Sequence, residues 1–346
     1  MAAKSGTEVA DADRARDSKA KTDDKRANAS DGRRKNRKSK RERSTAAQYL
    51  QYLAFRGFSG FLRLLPVGMV YAIGRGLGTL GYRLGTRHRR TALINLDIAY
   101  GDTLTPEEKH QIVRESYQNM VLVSLDVVTI PRLLRPENVD RYIDRPNIEL
   151  ADKAKAKHGF AIYVTGHHGS WEVLGTAVGS VGHSFHALAR PMRNRFINDY
   201  LVRSREMLGQ RVVSKYGVMT ELIRLLRAGE SVGFVADQDA RRHGIFVDFF
   251  GVPSSTIPSP ALLAYRFDIP VIVGHCQRVG GRFRFRGFVD AVIEPDTSRP
   301  REEEVRRMTQ EVSLAMESFV RKNPGQYLWL HRRWKTRPEG EESPYK

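Results

Sequence analysis

The chain has 346 residues but only one cysteine, three tryptophans and 39 acidic residues against 58 Lys and Arg, a formal net charge of +19. The lone Cys276 excludes an intramolecular disulfide and, inside an apolar stretch, suits a reducing compartment such as the cytosol. No HExxH or CxxC spacing frames the histidines, so the signature of a catalytic zinc site is missing. Ser170, the only serine near them, lacks the G-x-S-x-G elbow that would present a nucleophile, and no early apolar core marks a signal peptide. The shortage of acid calls for an acidic partner: nucleic acid, an anionic membrane surface or an acidic carrier protein. With 40% hydrophobic residues, the chain is long enough to bury one large core or two smaller ones.

Residues 1–45 carry 15 basic and 8 acidic residues and no aromatic, too little apolar surface to offset the entropy of ordering. Their densest part, Gly32 to Arg43, holds eight basic residues and one acid and reads as a polybasic arm. The next segment is rich in Leu, Phe, Tyr and Gly, but arginines 56, 63, 75 and 83 break it. Its uncharged runs, Ser44–Phe55 and Leu64–Gly74, are twelve and eleven residues, short of the ~20 that span a bilayer. Arg56 and Arg63 would share one helix face and leave an apolar face opposite, the pattern of a helix lying in a membrane interface. A buried helical hairpin is the alternative.

Thr105-Pro106-Glu107-Glu108 is a capping-box start for a helix reaching about Val128. Phe160–Val164 reads as a buried strand, and Ser170 as the N-cap of a helix running toward Gly182. A second helix–strand pair follows, Val218–Ala228 and Ser231–Ala236, the latter ending in Asp237-Gln238-Asp239. Strand, helix and strand with polar residues at both strand ends is a βαβ arrangement. Ile269–Cys276 is a further strand. Gly281–Val289 alternates Arg282, Arg284 and Arg286 with Phe283 and Phe285, which predicts a solvated basic face opposite an apolar one. A last helix over Arg301–Lys322 stops at Asn323-Pro324-Gly325. The expected fold is α/β, a mixed, largely parallel central sheet flanked by helices, with an N-terminal membrane-associated helical segment.

"TGHHGSWEVLG", Thr165 to Gly175, places two histidines on a strand-to-helix turn, where open α/β sheets bind ligands. A direct-transfer enzyme needs little more: a histidine as general base for a substrate hydroxyl, and Glu172 to hold the imidazole and stabilise its charged form.

The spacing His167 to Glu172 resembles the H-x4-D/E motif of the lysophospholipid acyltransferase superfamily, and "GHHGSWE" is especially similar to the turn of bacterial lipid A biosynthesis acyltransferases. The likeness continues through "ARPMRNRFINDYLVRSRE", "GFVADQD" and "GIFVDFFGVPSSTIPSPALLA" to "PGQYLWLHRRWKTRP", covering Gly57 to Pro338. His168 stands where that family often has an aromatic residue. The resemblance implies that His167 rather than His168 is the base. With it go Glu172 as catalytic partner and Arg190, Asn194, Arg205, Asp237 and Gln238 in substrate binding. It further implies fatty acyl transfer from an acyl carrier protein or coenzyme A thioester to a hydroxyl of a membrane glycolipid, a lipid A precursor first, at the cytoplasmic face of the inner membrane.

No cofactor or metal is required. A lysophospholipid, an ornithine lipid or a phosphatidylinositol mannoside is an alternative acceptor. A nucleic-acid-binding role is disfavoured, because only the arm is densely basic. The expected organisation is a disordered arm over 1–45, a membrane-associated helical segment over 46–90, an acyltransferase domain over 91–338 and a flexible tail over 339–346.

Overall fold

The computed structural model of the chain describes residues 45–180, 185–207, 209–214 and 218–345, so the polybasic arm lies outside the described residues apart from Thr45. The described chain divides into two compact units. In the smaller one, residues 45–58 with 194–196, Tyr49 and Tyr52 pack on Phe196, and the Asn194 amide donates to the Gln48 carbonyl at 2.7 Å and to Gln51 Oε1 at 3.1 Å.

Everything else belongs to the larger unit, 59–193 and 197–346, so the segment expected over 46–90 falls partly in each. Helix α1 covers residues 45–64, followed by α2 (Val67–Leu84), α3 (Thr86–Tyr100), α4 (Pro106–Leu133) and α5 (Val139–Tyr142). Then come β1 (Ile143–Asp144), α6 (Glu149–His158), β2 (Ile162–Thr165), α7 (Trp171–Ser180), β3 (Phe185–Ala189), α8 (Arg195–Glu206), β4 (Gln210–Ser214), α9 (Val218–Arg227) and β5 (Ser231–Val235). A separate hairpin, β6 (Ile245–Phe249) and β7 (Val252–Thr256), precedes α10 (Ser259–Phe267), β8 (Val271–Arg278), β9 (Phe285–Ile293) and α11 (Arg301–Lys322).

The seven-stranded sheet has the order β1-β9-β8-β2-β5-β3-β4. Strands β8, β2, β5, β3 and β4 are parallel, β9 returns antiparallel to β8, and β1 follows β9. This is the mixed, largely parallel sheet expected from short unbroken apolar runs: Ile162, Val164, Val232 and Phe234 are buried because both sheet faces are covered. One core joins β2, β5 and β8 to α3, α9, α10 and α11, and another joins α2, α4 and α7 to Phe283 and Phe285.

The Thr105 capping box forms as read, with Thr105 Oγ1 accepting from the Glu108 N–H at 3.3 Å and Glu108 Oε2 accepting from the Thr105 N–H at 2.8 Å. Helix α4 passes the expected end at Val128 and closes at Leu133 with Pro131 in its last turn, whose missing N–H leaves the Val127 carbonyl to accept from Ser204 Oγ at 3.1 Å. Phe283 and Phe285 are buried while Arg282, Arg284 and Arg286 are exposed, the alternation the sequence predicts.

Two expectations are corrected. Residues 67–84 are not set apart from the catalytic fold: α2 buries Val70, Tyr71, Gly74 and Gly78 against α4, so closely that a Cβ on Gly78 would collide with the Gln118 backbone. Its other face leaves Met69, Ile73, Leu77, Leu80 and Leu84 exposed. One face of α2 is therefore core and the other is open. No helix among the described residues is long and apolar enough to cross a membrane. Residues 339–345 are not a free tail, since the buried Tyr345 bonds Asn95 Oδ1 and accepts from the Trp334 N–H at 3.1 Å.

Candidate active site

The parallel register of β2 and β5 builds the centre. Ile162 pairs with Val232 and Thr165 with Val235. Continued two residues beyond the strand ends, the same offset sets His167 against Asp237. There Asp237 Oδ1 lies 2.6 Å from His167 Nδ1, and Oδ2 accepts the His167 backbone N–H at 2.6 Å. Burial alone would raise the Asp237 carboxyl, but the charge and two hydrogen bonds of His167 outweigh it and hold the group below the usual carboxylate range. An ionised Asp237 keeps the proton on Nδ1 and leaves Nε2 as the basic nitrogen. The partner of His167 is thus Asp237 and not Glu172, as the H-x4-E spacing suggested.

Glu172 instead meets Arg205 in a two-point pair, Oε2 to Nε at 2.8 Å and Oε1 to Nη2 at 2.7 Å. Both are largely buried. A carboxylate in the first turn of α7 is captured by a cation from α8, because a fork that satisfies both its oxygens outcompetes one ring nitrogen.

His168 points the other way. It is fully buried against Phe319 and His275, its Nε2 bonds the Asn323 carbonyl at 3.0 Å, and burial first, then His275, pushes its pKa down to about 3.

The turn carrying these residues is pinned on several sides. The His167 carbonyl accepts from the Leu328 N–H at 3.0 Å, the Gly169 N–H donates to the Gln326 carbonyl at 3.0 Å, and the Ser170 N–H donates to the Cys276 carbonyl at 2.7 Å. Gly169 has φ +56°, and a Cβ there would collide with that Cys276 carbonyl, so only glycine fits. Ser170 caps α7 by accepting from the Val173 N–H at 3.4 Å, and donates to Asp126 Oδ2 at 2.7 Å. Asp126 is itself buried between Arg278, at 2.5 and 3.1 Å, and the Tyr71 hydroxyl.

His167 borders a cavity of about 550 Å³ running along the sheet under α7 and α8. Its walls are mostly apolar, Leu174, Val178, Phe185, Ala187, Val212 and Phe288 among them. Arg190, Arg205, Glu172 and Gln238 also line it. Arg190 and Gln238 are exposed there, and Arg190 has no ion-pair partner among the described residues. Asn194 does not line the cavity; its amide serves the smaller unit.

Two residues that sequence reasoning did not single out complete the centre. Tyr327, buried beside Asp237, stays protonated because burial, then the Asp237 charge, raises its pKa well above the usual value. Arg333, 2% exposed, is held by the Ser255 carbonyl at 2.7 Å, Ser254 Oγ at 2.9 Å and Thr256 Oγ1 at 2.6 Å, close enough to act on the Asp237 charge. The polar, aromatic segment "QYLWLHRRW" was their only sequence signal. Among the described residues no group of three or more His, Cys, Asp and Glu is placed to hold a metal ion.

A family model described as bacterial lipid A biosynthesis acyltransferase matches residues 37–336, a span containing every residue of this centre. The chain is similar to the lipid A biosynthesis myristoyltransferase of Escherichia coli (strain K12), 27% identical over 282 residues that cover 78% of this chain and 82% of the relative. It is 24% identical to the lauroyltransferase of that organism over 283 residues and to its palmitoleoyltransferase over 284, in both cases 81% of this chain and 90% of the relative.

Proposed function

Because the chain belongs to the bacterial lipid A biosynthesis acyltransferases and so is an acyltransferase, we propose that it moves a fatty acyl group from an acyl carrier protein or coenzyme A thioester to a hydroxyl of a lipid A precursor, with His167 as general base. Nε2 takes the hydroxyl proton as the oxygen attacks the thioester carbonyl. The new C–O bond forms, the C–S bond breaks, and the thiolate leaves with the proton returned from His167. Asp237 holds the tautomer and stabilises the imidazolium between the two proton transfers. The exposed guanidinium of Arg190 and the N-terminal end of α7 offer positive charge to the oxyanion or to a phosphorylated headgroup. The apolar cavity takes the acyl chain, and no cofactor takes part.

The observation that carries this reading is the His167–Asp237 pair at the border of an apolar cavity. A single base beside a channel for hydrocarbon suits direct transfer between two lipidic substrates. The exposed apolar face of α2 and the basic surface suit work at the cytoplasmic face of the inner membrane.

The test is an incubation of purified protein with acyl carrier protein and coenzyme A thioesters, each offered a lipid A precursor, a lysophospholipid and an ornithine lipid, read by mass spectrometry. Acylation of the lipid A precursor that disappears in His167→Ala supports the reading. Preference for another acceptor, or turnover retained in His167→Ala, overturns it.

A further inference from the structure

A second cavity, of about 370 Å³, shares no lining residue with the active-site cavity. Thr86, Arg87 and Arg90 of α3 line it together with Arg332 and Tyr345 from the C-terminal segment, and no acidic side chain does. The guanidinium groups of Arg87, Arg90 and Arg332 have no ion pair or hydrogen bond among the described residues; Arg332 lies over the Tyr345 ring at 5.6 Å. Their neighbour Arg89 differs, since its Nη1 donates to the Tyr82 and Arg83 carbonyls at 2.8 and 3.1 Å and so closes the end of α2. Arg89 thus makes hydrogen bonds within the fold and Arg332 covers an aromatic ring, while the guanidinium groups of Arg87 and Arg90 have neither use among the described residues.

Three guanidinium groups around one concavity repel each other, and Arg87 stands in the acid-free first turn of α3, at the helix end whose dipole also repels it, with Arg90 just beyond that turn. Apart from the Arg332–Tyr345 contact, that arrangement stabilises nothing in the folded chain by itself. An anion with several acceptor oxygens removes the penalty, and the guanidinium fork matches phosphate best.

The surroundings indicate where the phosphate comes from. Leu84, 73% exposed, is two residues before Thr86 and ends a stripe of Met69, Ile73, Leu77 and Leu80, each 42–50% exposed. Ala72 and Gly76, exposed between them, keep the stripe free of charge. From Met69 to Leu84 the stripe runs about 23 Å along α2. A free phosphate or a phosphorylated protein has no use for such a stripe, whereas a bilayer accepts the apolar face and brings phosphate to its edge.

We propose that Arg87, Arg90 and Arg332 bind the phosphate headgroup of an anionic membrane lipid while the exposed face of α2 lies among the acyl chains. The proposal rests on the reading that the enzyme works at a membrane and names the site by which it sits there.

The test uses the full chain and co-sedimentation with vesicles of phosphatidylcholine alone or mixed with phosphatidylglycerol, with folding of each variant checked by circular dichroism. Arg87→Gln/Arg90→Gln/Arg332→Gln is expected to lose about 10-fold or more in affinity for the anionic vesicles. Lys153→Gln/Arg227→Gln/Arg301→Gln removes the same charge from other exposed positions and is expected to lose less than about 2-fold. Leu77→Ser/Leu80→Ser is expected to weaken binding to both vesicle types. Equal losses in the two triple variants overturn the proposal, because bulk charge then accounts for the binding. Competition by inorganic phosphate without any gain from phosphatidylglycerol assigns the cavity to a free anion and overturns it too. So does unchanged vesicle binding together with slower use of an acyl carrier protein donor. If the wild-type chain binds no vesicle, the membrane reading itself fails; if it binds and the arginine variant matches it, only this site does.

Discussion

Asp237 holds His167 at two points, one carboxylate oxygen on the ring nitrogen Nδ1 and the other on the backbone N–H, each at 2.6 Å. The first contact sets the tautomer and the second sets where the ring stands. Asp237→Asn keeps the shape but presents an amide that cannot stabilise the imidazolium. Its kcat is expected to fall by about 100-fold or more, approaching His167→Ala, with KM for the acyl donor little changed. Steady-state kinetics on purified variants decide the matter, and near wild-type kcat in Asp237→Asn would remove Asp237 from the mechanism.

The Glu172–Arg205 pair predicts non-additive losses. Removing either partner leaves a largely buried charge without its counter-ion, so Glu172→Ala and Arg205→Ala should each be destabilised by several kcal/mol, about 3–5 for a buried pair. The double variant should lose little more than either alone. Arg205→Lys should also be impaired, since an ammonium cannot make both contacts. Urea unfolding of the four proteins gives the coupling energy; strict additivity would mean that the pair does not act as a unit.

His168 predicts how stability depends on pH. Its folded pKa of about 3 lies below the ordinary 6.5 because burial, then His275, disfavours the cation. The unfolded chain therefore binds the proton more readily between those values. Stability is full above about pH 6.5 and is lost toward pH 3 at up to about 1.4 kcal/mol per pH unit. Asp237, held below its ordinary 3.8, contributes at the acid end of this range and below it, so the loss above about pH 5 belongs to histidines: His168, and with it His186 and His331, whose pKa values burial also lowers. His168→Phe retains the aromatic contacts, gives up the Asn323 hydrogen bond and should show a flatter profile from about pH 7 to pH 5. Parallel profiles in chemical denaturation would contradict this origin.

Ala187 sits on β3 and lines the active-site cavity. Phenylalanine at that position takes up room needed by hydrocarbon without touching the His167–Asp237 pair. Ala187→Phe is expected to shift preference toward shorter acyl donors by about 10-fold in relative kcat/KM, the scale of a methylene or two in an apolar pocket. Competition between donors of different length reads the shift, and an unchanged ratio would place the chain elsewhere.

Local order was legible in the sequence wherever one segment carries its own signal. The unbroken apolar runs at Ile162–Val164 and Ser231–Val235 specify strands buried on both faces, the Thr105 box specifies a helix start, and Gly169 and Ser170 specify a tight turn into α7. The same stretch put His167 at a strand end, which is why a base could be picked out from one turn. What the base touches was not legible. His167 and Asp237 lie on neighbouring strands, and only the pairing of β2 with β5 and its register bring their side chains together; a shift of one residue would have turned Asp237 to the other face. The choice of Arg205 over His167 as the partner of Glu172 likewise depends on how α8 packs beside α7, since a carboxylate takes whichever donor the fold brings within reach. For α2 the composition was equally apolar on both faces, so the sequence could assign it to a membrane or to the core. Tertiary packing split it, the glycine face against α4 and the leucine face outward, because only Gly74 and Gly78 let two helix backbones approach so closely.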